Sequence, residues 1–506
     1  MLLLKLRQPA NIPTFKHLPQ TFFMSSASSS SNKSSPETTL SAKIIHASDK
    51  MTPTELRATI SLASIYGLRM LGMFLILPIF AIYASTLPEK PSSLMIGLAL
   101  GVYGLTQAMF QLPFGIASDK FGRKKMIYIG LIIFAIGSMV AALAINIETI
   151  ILGRAIQGAG AVSAVVTALV ADLTRDENRT KAMATIGGTI GIAFALSIIG
   201  GPILNQWIGV PGIFAMTAVL TLAAIAVVKF VVPDPIESHY HSDASAAPAK
   251  LNDVLKNKQL LRLNYGIFAL HAAQMAMFVV VPFAIIQSSG LNENQHWEIY
   301  LPVLLISFAL MVPAIIYAEK YAKTKLVFVS AITLMLLAQL LFAGSIHHFW
   351  GIVISLTFYF VAFNILEASL PSIISKIAPA AAKGTAIGVY NTSQSLGIFV
   401  GGAFGGYLSH SLGFASVFIF CSIMIFLWLL MAVSMQPPAA VKTKMYGMVN
   451  TDKALTVKQA EVLRNKLTKI TGVVEAVVLA EEHTIILKID KLQDWDESQV
   501  HALIQT

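Results

Sequence analysis

The feature that most constrains this chain is a series of long segments that contain no Asp, Glu, Lys or Arg. A helix that crosses the hydrocarbon core of a bilayer needs about 20 predominantly apolar residues. Three of the segments are too long for one crossing and contain polar or turn-forming residues, at 205–212, 344–348 and 409–413. The pattern therefore predicts an all-α membrane protein with twelve transmembrane helices. The charge-free segments are Met70–Pro88, Pro91–Ser118, Met126–Ile147, Ala155–Ala171, Ala182–Val228, Leu263–Asn292, Leu301–Ala318, Leu326–Leu366 and Gly384–Val441.

The composition excludes several other classes of protein. Of 506 residues, 55% are hydrophobic and 12% charged, against about 25% charged in an ordinary soluble domain. The single cysteine, Cys421, excludes a disulfide framework and cysteine-based metal sites, and no GxxxxGK[ST] phosphate loop is present to bind ATP. The net charge of +10 does not indicate a nucleic-acid partner, because basic residues of membrane proteins gather in loops next to anionic lipid. We expect neither an enzyme nor a cofactor or metal site.

The basic residues alternate between successive loops. The loops after odd-numbered spans carry only Lys90, and all the others follow even-numbered spans. The positive-inside rule then places both termini and the central loop in the cytoplasm, and we expect the chain in the inner, or plasma, membrane. The residues after even-numbered spans are Lys120, Arg123, Lys124, Lys125, Arg175, Arg179, Lys181, Lys250, Lys256, Lys258, Arg262, Lys320, Lys323, Lys325, Lys376 and Lys383.

The long central loop divides the spans into two groups of six. Each group has a charged connection after its second span, FGRKK in the first and EKYAKTK in the second, as a duplicated six-helix unit would have. Internal repeats with a binding site between them are the common plan of secondary transporters. We therefore predict an N-terminal six-helix bundle at 53–233, a cytoplasmic linker at 234–262 and a C-terminal six-helix bundle at 263–436.

The residues beyond 436 have a different character. A Pro-containing linker at 437–444 precedes residues 445–506, whose apolar periodicity predicts the order βαββα, a small ferredoxin-like α+β domain in the cytoplasm. This segment has no cysteine and no strand aromatic beyond Tyr446, so metal and RNA binding are disfavoured. A regulatory domain, or one that contacts another protein or a ligand, is the remaining interpretation.

The N-terminal extension, residues 1–52, is rich in Ser and has no helix or strand periodicity. We expect it to be disordered. Two alternatives stay open: an organellar transit peptide, because the first 36 residues contain no acid, or a working start at Met24 or Met51.

One loop combines residue types with distinct structural uses. Gly115 lets a neighbouring helix approach closely, and Gly122 permits a tight turn. The charge of Asp119 is favoured at a helix N-terminus, and Arg123 can pair with carboxylates. The full segment, between spans two and three, is Gly115-Ile-Ala-Ser-Asp119-Lys-Phe-Gly122-Arg123-Lys124-Lys125.

This eleven-residue segment resembles motif A of the major facilitator superfamily. The resemblance implies the fold of that family, two six-helix bundles around a central site, and a conformational latch. In the family, such an Arg pairs with the acid at the end of span four when the cytoplasmic side is closed. Here the corresponding residues are Arg123 and Asp172, and removing either one, or Asp119, is expected to favour the state that opens to the cytoplasm.

Two further segments resemble motifs of the same family. The first looks like motif B in span four, which the resemblance connects with proton coupling, and the second like the Gly-Pro of motif C in span five, which is associated with proton antiporters. Asn205 and Gln206 stand where motif C usually has a glycine pair, so that match is incomplete. The motif B residues are Arg154, Gln157 and Gly158, and the motif C residues are Gly191, Gly201 and Pro202.

Other segments narrow the resemblance, which covers about residues 55–435. The entry segment MTPTELRAT, the RMLGMFLILP of span one, ADLTRDENRTKAM after span four, EASLPSIISK and the βαββα tail together look like a bacterial subgroup, the YajR-type transporters with a C-terminal YAM domain.

Polar groups inside a membrane are costly and are therefore candidates for function. For the Asn and Gln residues an ordinary interhelical hydrogen bond is an equal alternative, and a neutral His can also simply pair. The candidates for a substrate or proton site are Arg69, His271, Gln274, Asn364, Glu367, Asn391 and Gln394, with Arg154 of motif B.

These features favour a secondary carrier that works by alternating access. The expected partners are a small-molecule substrate, protons and the lipid bilayer, with a monomer as the expected assembly. The proton would titrate Glu367 or a neighbour of Arg154, and the cargo would be exported in exchange. Two alternatives stay open: a facilitator of the same fold without proton coupling, and a transporter-like membrane sensor that signals through the tail.

Overall fold

The computed structural model describes most of the chain. Three parts of the predicted organisation lie outside the described residues and are not tested there. They are residues 1–50 of the predicted extension, residues 235–250 of the predicted central linker and residues 437–440 of the second linker. The described residues are 51–234, 251–379, 382–436, 441–447, 457–479, 484–490, 493 and 495–504.

Three helices of the N-terminal half begin at a capping side chain. The hydroxyl of Thr52 accepts from the backbone N–H of Glu55, and the Glu55 carboxylate accepts from the N–H of Thr52, which forms a capping box. Ser92 and Asn146 each cap a later helix by accepting from one backbone N–H, without the reciprocal bond. The helices are α1 (Pro53–Phe74), α2 (Phe80–Ser85), α3 (Ser93–Phe121), α4 (Arg123–Ala142), α5 (Ile147–Ala159), α6 (Ser163–Asp172) and α7 (Asp176–Phe230).

The C-terminal half repeats this organisation. It corrects the predicted linker at 234–262, because a short helix and the start of a long one lie within it; Asn257 caps the long helix by accepting from two backbone N–H groups. A 3₁₀ helix, Glu293–Gln295, precedes the second long helix. The helices are α8 (Leu251–Lys256), α9 (Lys258–Ser289), α10 (Trp297–Lys320), α11 (Thr324–Ser345), α12 (Phe349–Ile377), α13 (Lys383–Leu412) and α14 (Phe414–Val433).

The described residues provide twelve membrane crossings, as predicted. Nine helical segments among them are long and apolar enough to cross a membrane. One of the nine, Lys181–Phe230, would be about 75 Å long as a straight helix, against a hydrocarbon core of about 30 Å. It leaves helical geometry at Gly209, where φ is +64°, and thus makes two crossings. The nine segments thus make ten crossings. The pair α1–α2 makes one more, and the Gly- and Ser-rich α13 makes the twelfth.

Two crossings consist of a pair of helices with a break between them. Between α1 and α2 the chain forms turns around Pro78, which has no backbone N–H to donate. Between α5 and α6 it leaves the helix at Gly160, directly after the motif B-like segment. Discontinuous helices expose backbone groups, and membrane proteins tolerate them only where protein or a cavity surrounds them.

The helices run alternately between two ends of the membrane domain. We call the end that carries Arg123 and Lys320 the basic end, and the end that carries Asn146 and Asn294 the opposite end. Helices α1–α7 form the N-terminal bundle and α8–α14 the C-terminal bundle, and α13 packs against both α9 of its own bundle and α3 of the other.

Helices α3 and α13 approach each other through glycine. A Cβ atom on Gly97 would overlap the carbonyl oxygen of Gly402, and one on Gly406 would overlap that of Ser93. Gly104 makes a similar contact with the backbone of Ser395. Because α3 begins and α13 ends at the opposite end, these contacts hold the two bundles together from that end towards the middle.

The C-terminal domain has the predicted order βαββα. Its three strands form an antiparallel sheet in the order β1-β3-β2, and the apolar core includes Leu467, Ile485, Leu487 and Val500. The first strand begins at Val441, inside the predicted linker at 437–444, which is therefore shorter than expected. The elements are β1 (Val441–Gly447), α15 (Val457–Leu467), β2 (Val473–Leu479), β3 (Thr484–Asp490) and α16 (Glu497–Ile504).

A lysine connects this domain to the membrane domain. The Nζ of Lys488, on β3, donates to the carbonyl oxygens of Ala378, at 2.7 Å, and Lys376, at 3.2 Å. These carbonyls end α12, where the helix dipole favours a cation. Lys488 is 6% exposed and also pairs with Glu475 at 2.8 Å. The C-terminal domain is thus attached to the basic end of the C-terminal bundle.

Replacing Lys488 is expected to release the domain. Hydrogen bonds from a charged donor contribute about 1.5–3 kcal/mol, so Lys488→Ala should raise the undocked fraction about tenfold or more. Spin labels at Lys323 and Glu461, in a Cys421→Ser background, would show a broader distance distribution. The matched control, Glu475→Ala, removes the ion pair but keeps the cap, and should leave the distribution unchanged. Equal broadening in both variants would contradict the role assigned to the cap.

Candidate functional site

Arg123 is the centre of a buried ionic cluster at the basic end. Its Nε donates to Oδ2 of Asp172 at 3.1 Å, and its Nη1 donates to Ser118 Oγ at 2.6 Å and pairs with Asp119. The side chains of Arg123 and Asp172 are 2% and 0% exposed, against 37% for Asp119. The structure therefore brings together the three charged residues that the resemblance to motif A connects.

Gly122 forms the tight turn that the sequence predicts. Helix α3 ends at Phe121, and Asp119 pairs with the Arg123 guanidinium across Gly122, whose φ of +96° suits glycine. Asp119 consequently lies next to the N-terminus of α4, as its charge favours.

The rest of the motif is less constrained. Of the residues that the structure describes, a Cβ on Gly115 would meet only Ala164, at an ordinary 3.7 Å, so the predicted close helix approach is not seen there. Lys124 Nζ donates to the carbonyl of Val232 at 2.7 Å and pairs with Asp234, while Lys125 is exposed.

A second ion pair at the basic end was not predicted from the sequence. Arg175 grips the Glu55 carboxylate with Nε and Nη2 at 2.9 and 3.0 Å, the bidentate geometry that favours Arg over Lys. The backbone N–H of Arg175 and the amide of Asn178 also donate to this carboxylate. The pair joins the start of α1 to the start of α7.

Arg154 and its motif lie inside the N-terminal bundle. Arg154 is 1% exposed and donates to Gln157 Oε1 at 2.9 Å and more weakly to the carbonyls of Ala99 and Leu100. Gln157 in turn donates to Ser138. A Cβ on Gly158 would overlap the backbone of α3. These contacts are internal to the bundle and support a structural role for the motif.

Arg69 is held by two neutral hydroxyls. Its Nη1 donates to Ser163 Oγ at 2.6 Å and its Nη2 to Tyr103 OH at 2.8 Å. The Tyr103 ring also lies 4.8 Å from the guanidinium carbon of Arg154, so one aromatic ring separates two buried arginines. Tyr103 and Ser163 were not among the predicted residues, because nothing in their local sequence marks them.

In the C-terminal bundle, His271 and Glu367 lie close together. The Nε2 of His271 is 2.7 Å from Gln394 Nε2, and its Nδ1 is 3.3 Å from the carbonyl of Ile267. Both contacts fit a neutral ring with its proton on Nδ1. Oε2 of Glu367 lies 3.8 Å from His271 Nε2, beyond hydrogen-bond length, and the Glu367 side chain is 31% exposed.

The other three candidates in this bundle differ among themselves. Asn364 donates to Ser307 at 2.8 Å, the interhelical hydrogen bond that the alternative interpretation predicted. Gln274 is 2% exposed, and its Nε2 has no hydrogen-bond partner among the described residues. Asn391 is half-buried on α13.

Aromatic rings join the two bundles next to these polar groups. The ring centroid of Phe194, on α7, lies 5.5 Å from that of Phe363 and 6.2 Å from that of Phe360, both on α12. Phe363 lies 6.0 Å from the His271 ring. Phe74, five residues after Arg69 on α1, has its ring centroid 5.0 Å from that of Phe194. Arg69 from one bundle and Glu367 from the other therefore lie on helices that meet at these rings, and we call this region the central site.

The motif C residues pack against the break in the first crossing. A Cβ on Gly201 would overlap the carbonyl of Leu75 and approach Pro78, and Pro202 is the next residue of α7 and is buried. Gly191 lies further towards the basic end, and no described residue comes within 4 Å of its Cβ position.

Asn205 and Gln206, which depart from motif C, connect the bundles at the opposite end. Asn205 Nδ2 donates to Asn294 Oδ1 at 2.8 Å, and Gln206 Nε2 donates to the Asn294 carbonyl at 3.0 Å. Asn294 belongs to the 3₁₀ helix of the other half. We call these contacts the opposite-end gate.

The comparisons with known proteins agree on one family. The family model described as Major Facilitator Superfamily matches this chain over two overlapping regions, residues 62–402 and residues 303–470. The inner membrane transport protein YajR of Escherichia coli (strain K12) is 42% identical over 441 residues, which cover 87% of this chain and 96% of the relative. The quinolone resistance protein NorA of Staphylococcus aureus (strain COL) is 25% identical, over 67% of this chain and 86% of the relative.

Solved structures show the same fold at low identity. A bacterial homologue of the human lysosomal transporter Spinster, inward-facing and occupied, has a TM-score of 0.62 at 12% identity and covers 76% of this chain and 97% of its own. The human organic anion transporter MFSD10 has a TM-score of 0.57 at 17% identity, over 75% of this chain and 100% of its own.

The Arg123–Asp172 pair is expected to be strongly coupled. Removing one partner of a buried pair leaves an uncompensated charge and costs about 3–5 kcal/mol. Arg123→Ala and Asp172→Asn should each lower the free energy of unfolding by that amount, and the double variant by little more than either. Chemical unfolding in detergent measures this, with Lys125→Ala, at an exposed position, as the near-neutral control. Additive losses would mean that the two side chains act separately.

Proposed function

We propose, since the chain belongs to the major facilitator superfamily, that it is a secondary carrier that exports a small molecule in exchange for protons. Membership confirms the predicted transporter fold, and because the family comprises membrane transporters, it also confirms that the chain is not an enzyme. Proton exchange, the direction of transport and the roles of individual residues are parts of the proposal.

The position of Glu367 is the observation that best supports proton exchange. It is a carboxyl group inside a membrane crossing, with no Lys or Arg at ion-pair distance among the described residues. Intramembrane carboxyls of this kind are typical of proton relays. The partly exposed side chain provides a path for protons, and the neutral His271 beside it leaves the carboxylate charge free to respond to protonation.

The placement of the bundles supports alternating access. At the opposite end the bundles are joined by the gate residues and by the glycine contacts of α3 and α13. Glu367 lies in the half of α12 nearer the basic end, and its side chain is 31% exposed. We infer that this arrangement admits cargo from the basic end and that a rocking motion of the bundles opens the opposite end.

Loop charge supports the orientation that we propose. By the positive-inside rule the basic end would face the cytoplasm, with both termini and the C-terminal domain on that side. The YajR relative is named an inner membrane protein, and we propose the same membrane for this chain, as a monomer.

We propose that the Arg123 cluster is a latch that fixes the basic end of the N-terminal bundle, because its charged members come from α3, α4 and α6 of that bundle. The resemblance to motif A implies that the Arg123–Asp172 pair forms when the cytoplasmic side is closed, but here the pair is formed while the bundles are joined at the opposite end. The gate would play the complementary part at the opposite end, with Asn205 and Gln206 in place of the usual glycine pair.

A membrane sensor is the second candidate function, favoured by one observation. The Lys488 contact would transmit a change in α12, which also carries Glu367, to the C-terminal domain. A facilitator without proton coupling is the third, and flux measurements separate all three.

Glu367→Gln is expected to abolish cargo-driven proton entry, because the amide cannot titrate. Sealed vesicles loaded with a mixture of amino acids, amines and organic acids, together with a pH-sensitive dye, would report it. Glu319→Gln, at an exposed position on α10, is the matched control and should behave as the parent. If the parent transports cargo without moving protons, the facilitator is favoured. If the parent transports no cargo, the sensor is favoured.

The gate is expected to restrict access from the opposite end. A neutral hydrogen bond contributes about 0.5–1.5 kcal/mol, so Asn294→Ala should increase the population open at that end roughly two- to tenfold. The reporter is the variant Ile82→Cys in a Cys421→Ser background, because Ile82 is 8% exposed on α2, which packs against α9 of the other bundle. Its rate of reaction with a membrane-impermeant maleimide should rise by the same factor.

The matched control for the gate is His347→Ala, which changes an exposed side chain at the same end of the membrane domain. It should leave the labelling rate of the reporter as in the parent. A rate that is unchanged in Asn294→Ala as well would show that the contact does not close this end.

A further inference from the structure

Arg69 is a buried cation for which the described residues offer no carboxylate at ion-pair distance. It is 3% exposed, its two hydroxyl partners are neutral, and its Nε has no hydrogen-bond partner among the described residues. Neutral partners orient a guanidinium but do not cancel its charge, and an unmatched charge inside a membrane protein is costly. An anion from outside the chain would complete this site.

Glu367 presents the complementary deficit in the other bundle. Its Oε2 has no hydrogen-bond partner among the described residues, and the neutral His271 supplies no positive charge to it. A cation from outside the chain, or a proton, would complete this second half of the central site.

The two deficits lie on helices that meet at one apolar wall. Phe74, five residues after Arg69 on α1, has its ring centroid 5.0 Å from that of Phe194, and Phe363 lies four residues before Glu367 on α12. The rings of Phe194 and Phe363, from the two bundles, lie 5.5 Å apart beside His271. A single small molecule that touches both bundles would thus meet a cationic group, an anionic group and aromatic surface.

We propose that the cargo is an amphiphilic zwitterion, with a carboxylate that pairs with Arg69, an ammonium group that pairs with Glu367 and an aromatic or other apolar body against Phe194 and Phe363. The proposal rests on the proposed function and names its substrate class. The ammonium group requires an ionised Glu367, so its binding displaces one proton, and protonation of Glu367 displaces the cargo. Competition of this kind couples export to proton entry.

Simpler cargoes fit the site less well. An organic anion would satisfy Arg69 but would have no group to compete with the proton on Glu367. An organic cation would satisfy Glu367 but would leave Arg69 unmatched and would be repelled by it. The zwitterion satisfies both residues.

Four related probes test the proposal: phenylalanine, its amide, its N-acetyl derivative and its N-acetyl amide. They share the aromatic body and differ only in which charges they carry. Equilibrium binding to the full chain in detergent, measured by calorimetry at pH 7.5, should be about tenfold or more tighter for phenylalanine than for each blocked probe, as expected for a charge-assisted contact.

Variants assign each charge preference to one residue. Arg69→Gln should abolish the preference for a free carboxylate and keep that for a free amine, and Glu367→Gln should do the reverse. Arg69→Lys, which keeps the charge and provides a fallback if the Gln variant does not fold, should retain part of the carboxylate preference. Arg57→Gln, at the exposed start of α1, is the control and should bind as the parent.

Several outcomes would overturn the proposal: equal binding of all four probes, binding of none, or an unchanged carboxylate preference in Arg69→Gln. Because binding is measured without a proton gradient, failure of proton exchange in vesicles leaves this test intact. Conversely, the chain could show proton-coupled flux of other cargo in vesicles and no charge preference in the binding test. That result would overturn the proposed substrate class but not the proposed function.

Discussion

Charges enclosed by a membrane protein have to be matched, and most of this molecule depends on how that is done. At the basic end Arg123 is matched completely by Asp172, Asp119 and Ser118. Arg154 is surrounded by carbonyls, a glutamine and an aromatic ring. Matched charges of this kind rigidify a bundle, because removing one partner exposes the other to a desolvation cost.

The central site lacks such matching. Arg69 and Glu367 belong to different bundles that meet at the ring of Phe194, and each has a buried polar atom without a partner among the described residues. The broken crossings contribute to this arrangement: Ser163, which holds Arg69, is the first residue of α6, directly after the break at Gly160. Groups held in place by protein but left unmatched are available to a ligand, and their division between two bundles allows a ligand to influence how the bundles are placed.

The sequence predicted the parts of this molecule whose signals are local. Charge-free segments predicted the twelve crossings, alternating loop charges predicted the two ends, and the motif A-like segment predicted the Arg123 cluster. Boundaries such as Val441 were less accurate, because a strand start depends on partners distant in sequence. Long-range partners were not predictable: Tyr103 and Ser163 are ordinary residues until the fold places them beside Arg69. Periodicity and spacing carry no information about such contacts without an alignment of relatives.

The central claim, that the two bundles open alternately around the central site, is tested most directly by distances at both ends in one experiment. Spin labels at Leu143 and Leu412 report the opposite end, and labels at Phe121 and Tyr321 report the basic end; all four positions are exposed. In a Cys421→Ser background, lowering the pH from 8 to 5.5 should shift the two distance distributions in opposite directions, and Glu367→Gln should abolish the shift. Distances that stay constant, or that change at one end alone, would contradict alternating access.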